Sequence, residues 1–165
     1  MNETEYSELW AEIGQTVINK FADGKFKPIV EFGIGIGYVT SKESPSVNGV
    51  PKMAECIVIK RDDQRQFTPH DFLIKIYEPN VAYMTNEQKC ILMEHELMHI
   101  HCYENKDGEL KIGVTPHDCN DFRDIIERYG YDWAKDVHQQ MTLDDIYPEE
   151  PAEETDEEAT EETAE

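Results

Sequence analysis

His95-Glu96-Leu97-Met98-His99 is the stretch of sequence that determines the architecture of this chain. Successive residues of an α-helix are rotated by about 100°, so the two histidines lie about 40° apart on adjacent turns and can direct both imidazoles at one ion. Glu96 falls beside the same face, where its carboxylate could take a proton from a water that the metal activates. The pentapeptide therefore predicts a helix that carries a catalytic zinc site.

The residues around this motif predict the extent of the helix. Thr85-Asn86-Glu87-Gln88 has the pattern of a capping box, and a helix over residues 86–101 is expected to follow. Glu87, Glu94 and His101 form a narrow polar stripe, and apolar side chains cover most of the remaining circumference. The helix is thus predicted to be buried on nearly every side. A metal ion would satisfy its buried histidines and glutamate, and the competing interpretation is core histidines held by hydrogen bonds.

His117 is the best candidate for a third ligand, because catalytic zinc usually has three protein ligands and one open position. Thr115-Pro116-His117-Asp118 is typical of a helix start, and this helix is predicted to extend to about Tyr129. A tight turn at 105–108 and a short strand at 110–114 could return the chain toward the first helix. The alternatives for the third ligand are Asp118, Asp121, Glu127 and Cys102.

The two metal motifs together resemble those of a known family. HELMHI at 95–100 is followed by a turn, a strand and HDCNDF at 117–122, which resembles the HELLHI and HDxxxF core of the putative phage metallopeptidase family. The similarity extends over most of residues 5–135, and SprT-like zincins share the pairing more distantly. The resemblance implies a minimal zincin fold. It also implies that His95, His99 and His117 bind zinc and that Glu96 is the catalytic base.

The remaining sequence predicts an α+β fold. Apolar residues spaced by three and four between Tyr6 and Phe21 predict an amphipathic helix that covers one face of a sheet. Strands are predicted at 28–40, 55–60 and 72–77, and the loops between them border any cleft beside the metal helix. We therefore expect a zincin-like fold with a small mixed sheet packed against the N-terminal helix and the buried HExxH helix. A C-terminal helix is expected to carry the third ligand.

The charge distribution separates the last 17 residues from the rest of the chain. The net charge is −21 over 165 residues, and positions 149–165 hold ten acidic and no basic side chains. Such a segment repels itself and has almost nothing apolar to bury, so a disordered acidic tail is predicted there. Residues 1–148 are predicted to form one metallopeptidase domain.

The acidic composition also bears on partners and location. Residues 1–148 are themselves acidic, which argues against direct binding of nucleic acid or of an anionic membrane surface. The chain has neither the apolar run of a membrane span nor a basic, apolar leader, and its four cysteines form no CxxC pair. We therefore expect a cytoplasmic protein, in the host cytoplasm if it is phage-encoded, that acts on a peptide or protein substrate.

These features predict a zinc-dependent metallopeptidase with one catalytic Zn²⁺ ion and with Glu96 as general base. The alternative is a non-catalytic acidic metal-binding module that sequesters a basic protein partner. A structural zinc site of that kind would need a fourth ligand, from Asp121 or Cys102. Asp118 is a candidate to orient a ligating imidazole, although helix capping would explain it equally well.

Overall fold

A computed structural model describes residues 4–59, 68–118 and 121–137. In chain order its helices and strands are β1 (Thr4–Tyr6), α1 (Glu8–Lys20), α2 (Lys27–Glu31), β2 (Ile36–Ser41), β3 (Ser46–Val47), β4 (Val50–Pro51), β5 (Ala54–Val58), β6 (Phe72–Tyr77), α3 (Glu78–Val81), α4 (Asn86–Met98), β7 (Ile100–Glu104), β8 (Leu110–Val114) and α5 (Arg123–Tyr129). The predicted boundary between a domain at 1–148 and a tail at 149–165 lies outside the described residues.

Four strands form a mixed sheet in the order β1-β2-β6-β5. β2 and β6 are parallel, whereas β1 and β5 pair antiparallel with their neighbours at the two edges. β3 with β4 and β7 with β8 form two separate antiparallel hairpins. The expectation of an α+β architecture with a small mixed sheet, compatible with a zincin-like fold, is confirmed.

The main core lies between this sheet and the helices α1 and α4. Phe72, Ile74 and Ile76 alternate along β6, so they share one face of the sheet, and all three are fully buried. They join the same apolar cluster as Trp10 of α1 and Leu97 of α4. Burying each such side chain stabilises the fold by about 1.5–3 kcal/mol, so this cluster holds α4 firmly against the sheet.

The helix α1 approaches the sheet closely at Gly14. A Cβ atom at this position would lie 2.3 Å from the hydroxyl of Tyr38 on β2, which is closer than any real contact. Ser7 caps the helix, because its hydroxyl oxygen accepts a hydrogen bond from the amide of Trp10 at 3.3 Å. Even an alanine at Gly14 would force the side chain of Tyr38 to shift.

The strand predicted at 28–40 is wrong in its first half. Residues Lys27–Glu31 form the short helix α2, and the strand begins only at Ile36. Pro28 lies in the first turn of α2, where its fixed φ suits a helix and its missing amide hydrogen costs nothing. The other two predicted strands are found at Ala54–Val58 and Phe72–Tyr77.

The helix α4 begins as predicted and ends three residues early. Both hydrogen bonds of the capping box are present, between Thr85 Oγ1 and the Gln88 amide and between Gln88 Oε1 and the Thr85 amide. At the other end the carbonyl of His99 accepts a hydrogen bond from the amide of Thr115 at 2.7 Å. The chain therefore enters the hairpin of β7 and β8 directly after His99. As a result, His101 lies on β7 rather than on the helix.

Glu94 does not lie on an exposed polar stripe, so that prediction is wrong. Its side chain is 3% exposed and forms ion pairs with Lys25 and Arg128. The hydroxyl of Tyr129 donates a hydrogen bond to its second oxygen at 2.6 Å. These partners are distant in sequence from the helix, so its own periodicity could not reveal them.

Within the described ranges, no helix has both the length and the apolar character needed to cross a bilayer.

Candidate metal centre

The three histidines singled out from the sequence lie together in the structure. Nε2 of His117 is 3.0 Å from Nε2 of His95 and 3.1 Å from Nε2 of His99. All three candidate ligand atoms lie within 4.8 Å of one another. Nitrogen ligands of a tetrahedral zinc ion are about 3.3 Å apart, given Zn–N bonds of about 2.0–2.1 Å. The spacing therefore suits a single ion bound by three imidazoles.

Contacts at Nδ1 determine which ring nitrogen of His95 and of His99 can bind a metal ion. Nδ1 of His99 lies 2.6 Å from the carbonyl oxygen of Thr115, and Nδ1 of His95 lies 2.6 Å from Oδ1 of Asp121. Because both neighbours are acceptors, the proton of each neutral ring belongs on Nδ1, and Nε2 presents a lone pair. A neutral His117 could donate to only one of these lone pairs. A cation satisfies all three nitrogens together, so the residues fit a metal ion.

The pKa values of two of these histidines favour the metal-binding form. Burial lowers the pKa of both His99 and His117 below the ordinary value, and the neighbouring His95 lowers both further. Their imidazoles are consequently neutral at pH 7, which is the form that binds a metal.

Glu96 is buried beside the histidines with one oxygen unpaired. It is 4% exposed, and among the described residues its Oε2 has no hydrogen-bond partner. Burial raises its pKa to about 7, although the charges of His95 and Lys52 act in the opposite direction. An unsatisfied buried carboxylate oxygen is costly, and a water molecule in the adjacent cleft would satisfy it.

His117 reaches the cluster from a loop rather than from a helix start. The last helix ends at Tyr129 as predicted but begins only at Arg123, so the predicted start at Pro116 and the expectation that this helix carries His117 are wrong. Phe122 rather than Thr115 precedes this helix, and the amide and the carbonyl of Thr115 both contact His99. Asp118 accepts a hydrogen bond from the amide of Arg123 at 2.8 Å, which explains it as a residue that stabilises the start of α5.

Asp121 takes the orienting position that the sequence suggested for Asp118. Its Oδ1 contacts His95, and its Oδ2 accepts a hydrogen bond from Nε1 of Trp133 at 2.9 Å. Burial opposes ionisation, but these contacts lower the pKa of Asp121 to about 2, so it is a carboxylate at neutral pH. Of the other candidate third ligands, Glu127 is exposed on α5 and Cys102 belongs to the apolar core.

Two clefts meet at the histidines. One, of about 380 Å³, is lined by Lys52, Glu55, Cys56 and Val114 in addition to the three histidines and Glu96. The other, of about 360 Å³, is mainly apolar and is lined by Val50, Pro51, Met53, Ala54, Leu92, Tyr131, Trp133 and Ala134 in addition to His95, Glu96, His117 and Asp121. A larger cavity of about 580 Å³ lies beside the start of α4 and does not reach the histidines. Glu96 therefore faces space on both sides of the cluster.

Comparison with known proteins adds one finding to this geometry. No curated protein and no solved structure shows significant similarity to the chain. A family model, in contrast, matches residues 2–141, a span that contains every residue of the candidate centre. The chain therefore belongs to the family described as Putative phage metallopeptidase.

Proposed function

We propose that the protein is a zinc-dependent metallopeptidase, with His95, His99 and His117 as zinc ligands and Glu96 as general base. The family description points to a metallopeptidase that acts on peptides or proteins. The observation that supports the mechanism is the convergence of three Nε2 atoms beside the unpaired, buried oxygen of Glu96. Imidazole nitrogens suit zinc, and three protein ligands leave one position for water or substrate.

Glu96 has the properties that proton transfer requires. When bound, zinc supplies Lewis acidity, which makes water nucleophilic near neutral pH and polarises a peptide carbonyl. Glu96 accepts the proton of the attacking water and donates it to the nitrogen of the peptide bond that breaks. Burial raises the pKa of Glu96 to about 7, which helps it to hold a proton between these two steps.

The edge of the sheet formed by β5 offers a place for the substrate backbone. Among the described residues β5 is the last strand of the sheet, and Ala54, Glu55 and Cys56 line the cleft that contains the histidines and Glu96. An extended peptide could pair with the backbone of such an edge, as in recognition by strand addition. The peptide would then lie across the histidines with a carbonyl within reach of Glu96.

The substitution Glu96→Gln tests the assignment directly. The full chain is loaded with zinc, its metal content is measured, and cleavage of a mixed peptide library is followed by mass spectrometry. We expect one zinc per chain in both proteins and a loss of cleavage by about 10²–10⁴-fold in the variant. Glu87→Gln, at an exposed position of the same helix, is the matched control and should cleave normally.

Two results would contradict this proposal. Unchanged cleavage by Glu96→Gln would remove Glu96 from the mechanism. A zinc-loaded wild-type protein that cleaves nothing in the library would favour the alternative, an acidic metal-binding module that sequesters a basic partner.

A further inference from the structure

We propose that Trp133 is a positioning residue of the metal centre, which acts on His95 through Asp121. Its indole N–H holds the carboxylate that in turn keeps Nε2 of His95 directed toward His99 and His117. This inference rests on the metal-binding part of the proposed function and does not depend on peptide cleavage.

The contacts lead from the indole to the imidazole through Asp121, by a hydrogen bond at the indole and a close contact at the imidazole. Nε1 of Trp133 donates to Oδ2 of Asp121 at 2.9 Å, and Oδ1 of Asp121 lies 2.6 Å from Nδ1 of His95. The amide of Phe122 also donates to Oδ1 at 2.6 Å. Both carboxylate oxygens are thus held from the protein side, so the carboxylate cannot rotate away from the imidazole. Partners of this kind fix the orientation and the tautomer of a ligating histidine.

The segment that carries Trp133 is anchored by the metal helix itself. Nε2 of Gln88 donates to the carbonyl oxygens of Trp133 and Lys135, at 3.0 and 2.6 Å. The hydroxyl of Tyr83 donates to the carbonyl oxygen of Ala134. Gln88 is 6% exposed, and it also completes the capping box at the start of α4. Residues 133–135 belong to no helix or strand, so these bonds help to fix the backbone that carries the indole.

The helix geometry connects this anchor to the ligand. Gln88 and His95 are seven residues apart, which is about two turns, so they lie on the same face of α4. One helix therefore presents the histidine and also fixes the loop that orients it. Gln88 holds the segment that carries Trp133, and Trp133 in turn holds Asp121 beside His95.

Apolar packing alone is the competing explanation for Trp133, since its ring also contacts both apolar clusters. The indole N–H of Trp133 distinguishes a positioning role from simple packing. A phenylalanine retains most of the ring contacts but has no N–H to offer Asp121, whose side chain is 19% exposed. A carboxylate that is largely removed from water depends on such donors.

The test is the zinc affinity of the full chain with Trp133→Phe, measured by competition with a chelator. We expect about tenfold weaker binding. In the zinc-free protein we also expect the ¹⁵N shifts of the His95 ring to move toward a mixture of tautomers. Tyr129→Phe is the matched control, because it removes another donor to a buried carboxylate near His95, that of Glu94. Its zinc affinity should stay within about twofold of the wild type.

A double-substitution cycle separates positioning from packing. If Trp133 acts through Asp121, Trp133→Phe weakens zinc binding in the wild type but has little further effect in an Asp121→Ala background. Equal weakening in both backgrounds would overturn the inference, as would wild-type affinity together with unchanged His95 shifts in Trp133→Phe. If Trp133→Phe does not fold, Gln88→Ala is expected to give the same loss of affinity by releasing the loop, and wild-type affinity there would overturn the inference. Zinc binding without cleavage would end only the proposed peptidase function.

Discussion

At the level of single residues, the metal centre depends on which nitrogen of each imidazole carries a proton. His95 and His99 each have an acceptor at Nδ1, from a carboxylate and from a backbone carbonyl, so their Nε2 atoms are free to bind. His117 is the proposed ligand that comes from another part of the chain, and it is the most exposed of the three. Replacing His117 should therefore weaken metal binding with the least effect on folding.

His117→Ala should weaken zinc binding by at least about 100-fold, which exceeds the effect of losing an orienting partner. The measurement is chelator competition on the full chain. His101→Ala, at an exposed position of β7, is the control and should bind zinc as the wild type does. Full affinity in His117→Ala would show that another group closes the site.

The ionisation of the ligands gives a second prediction. Because burial lowers the pKa of His99 and His117, both rings should remain neutral at a pH where an ordinary histidine is already protonated. In the zinc-free protein, ¹⁵N or ¹H titration should therefore give midpoints below the ordinary value of 6.5 for both rings. Midpoints at or above that value would mean that neither desolvation nor the neighbouring His95 lowers the pKa of these rings.

The site shows which residues a sequence can reveal and which it cannot. Local spacing along a helix predicted the grouping of His95, Glu96 and His99, and the second motif added His117. The sequence suggests Asp121 only as a ligand, because the orientation of the His95 imidazole depends on the loop that carries Trp133. No regular spacing links residues 121 and 133 to the metal helix, so their contact becomes visible only in three dimensions.

At the level of elements, the helix α4 is fixed by charge as well as by apolar packing. Glu94, next to His95, is paired with Lys25 before α2 and with Arg128 on α5. Asp124 of α5 pairs with the same lysine at 2.6 Å. These contacts join α5 to the metal helix close to the loop that contains Asp121.

Lys25→Met should lower the free energy of unfolding by about 2 kcal/mol, because it removes a charged partner from a glutamate that is nearly inaccessible to water. Urea denaturation of the zinc-free chain measures the effect. Lys27→Met is the matched control, since its pair with Glu31 is exposed, and it should cost less than about 0.5 kcal/mol. Equal effects of the two substitutions would mean that the buried pair contributes no more than a surface one.

Long-range contacts explain why the sequence mispredicts the end of α4 and the exposure of Glu94. The capping box at Thr85 is local, so the start of α4 was correct. Its end depends on hydrogen bonds to Thr115, and the burial of Glu94 depends on residues 25 and 128. Periodicity within residues 86–101 contains neither contribution.

At the level of the whole molecule, the α+β architecture follows from apolar patterning, whereas the placement of the metal centre follows from topology. The strand at 72–77 and the apolar face of α1 are predicted from the sequence and found in the structure. The edge position of β5 was not, because strand order is set by long-range pairing. That position determines which strand borders the cleft.

The net charge of −21 should influence substrate choice. An acidic protein attracts basic peptides over long distances, and salt screens this attraction. Cleavage of Lys- and Arg-rich peptides should therefore show a kcat/KM that falls as ionic strength rises, whereas neutral peptides of the same length should be little affected. The same salt dependence for both peptide sets would contradict an electrostatic contribution.

An anomalous-difference map at the zinc edge, from crystals of the full chain grown with zinc, would locate the metal ion directly. We expect one peak about 2.0–2.1 Å from Nε2 of His95, His99 and His117, with a non-protein oxygen in the fourth position next to Glu96. A peak that His117 does not contact, or a fourth protein ligand that closes the site, would contradict this expectation.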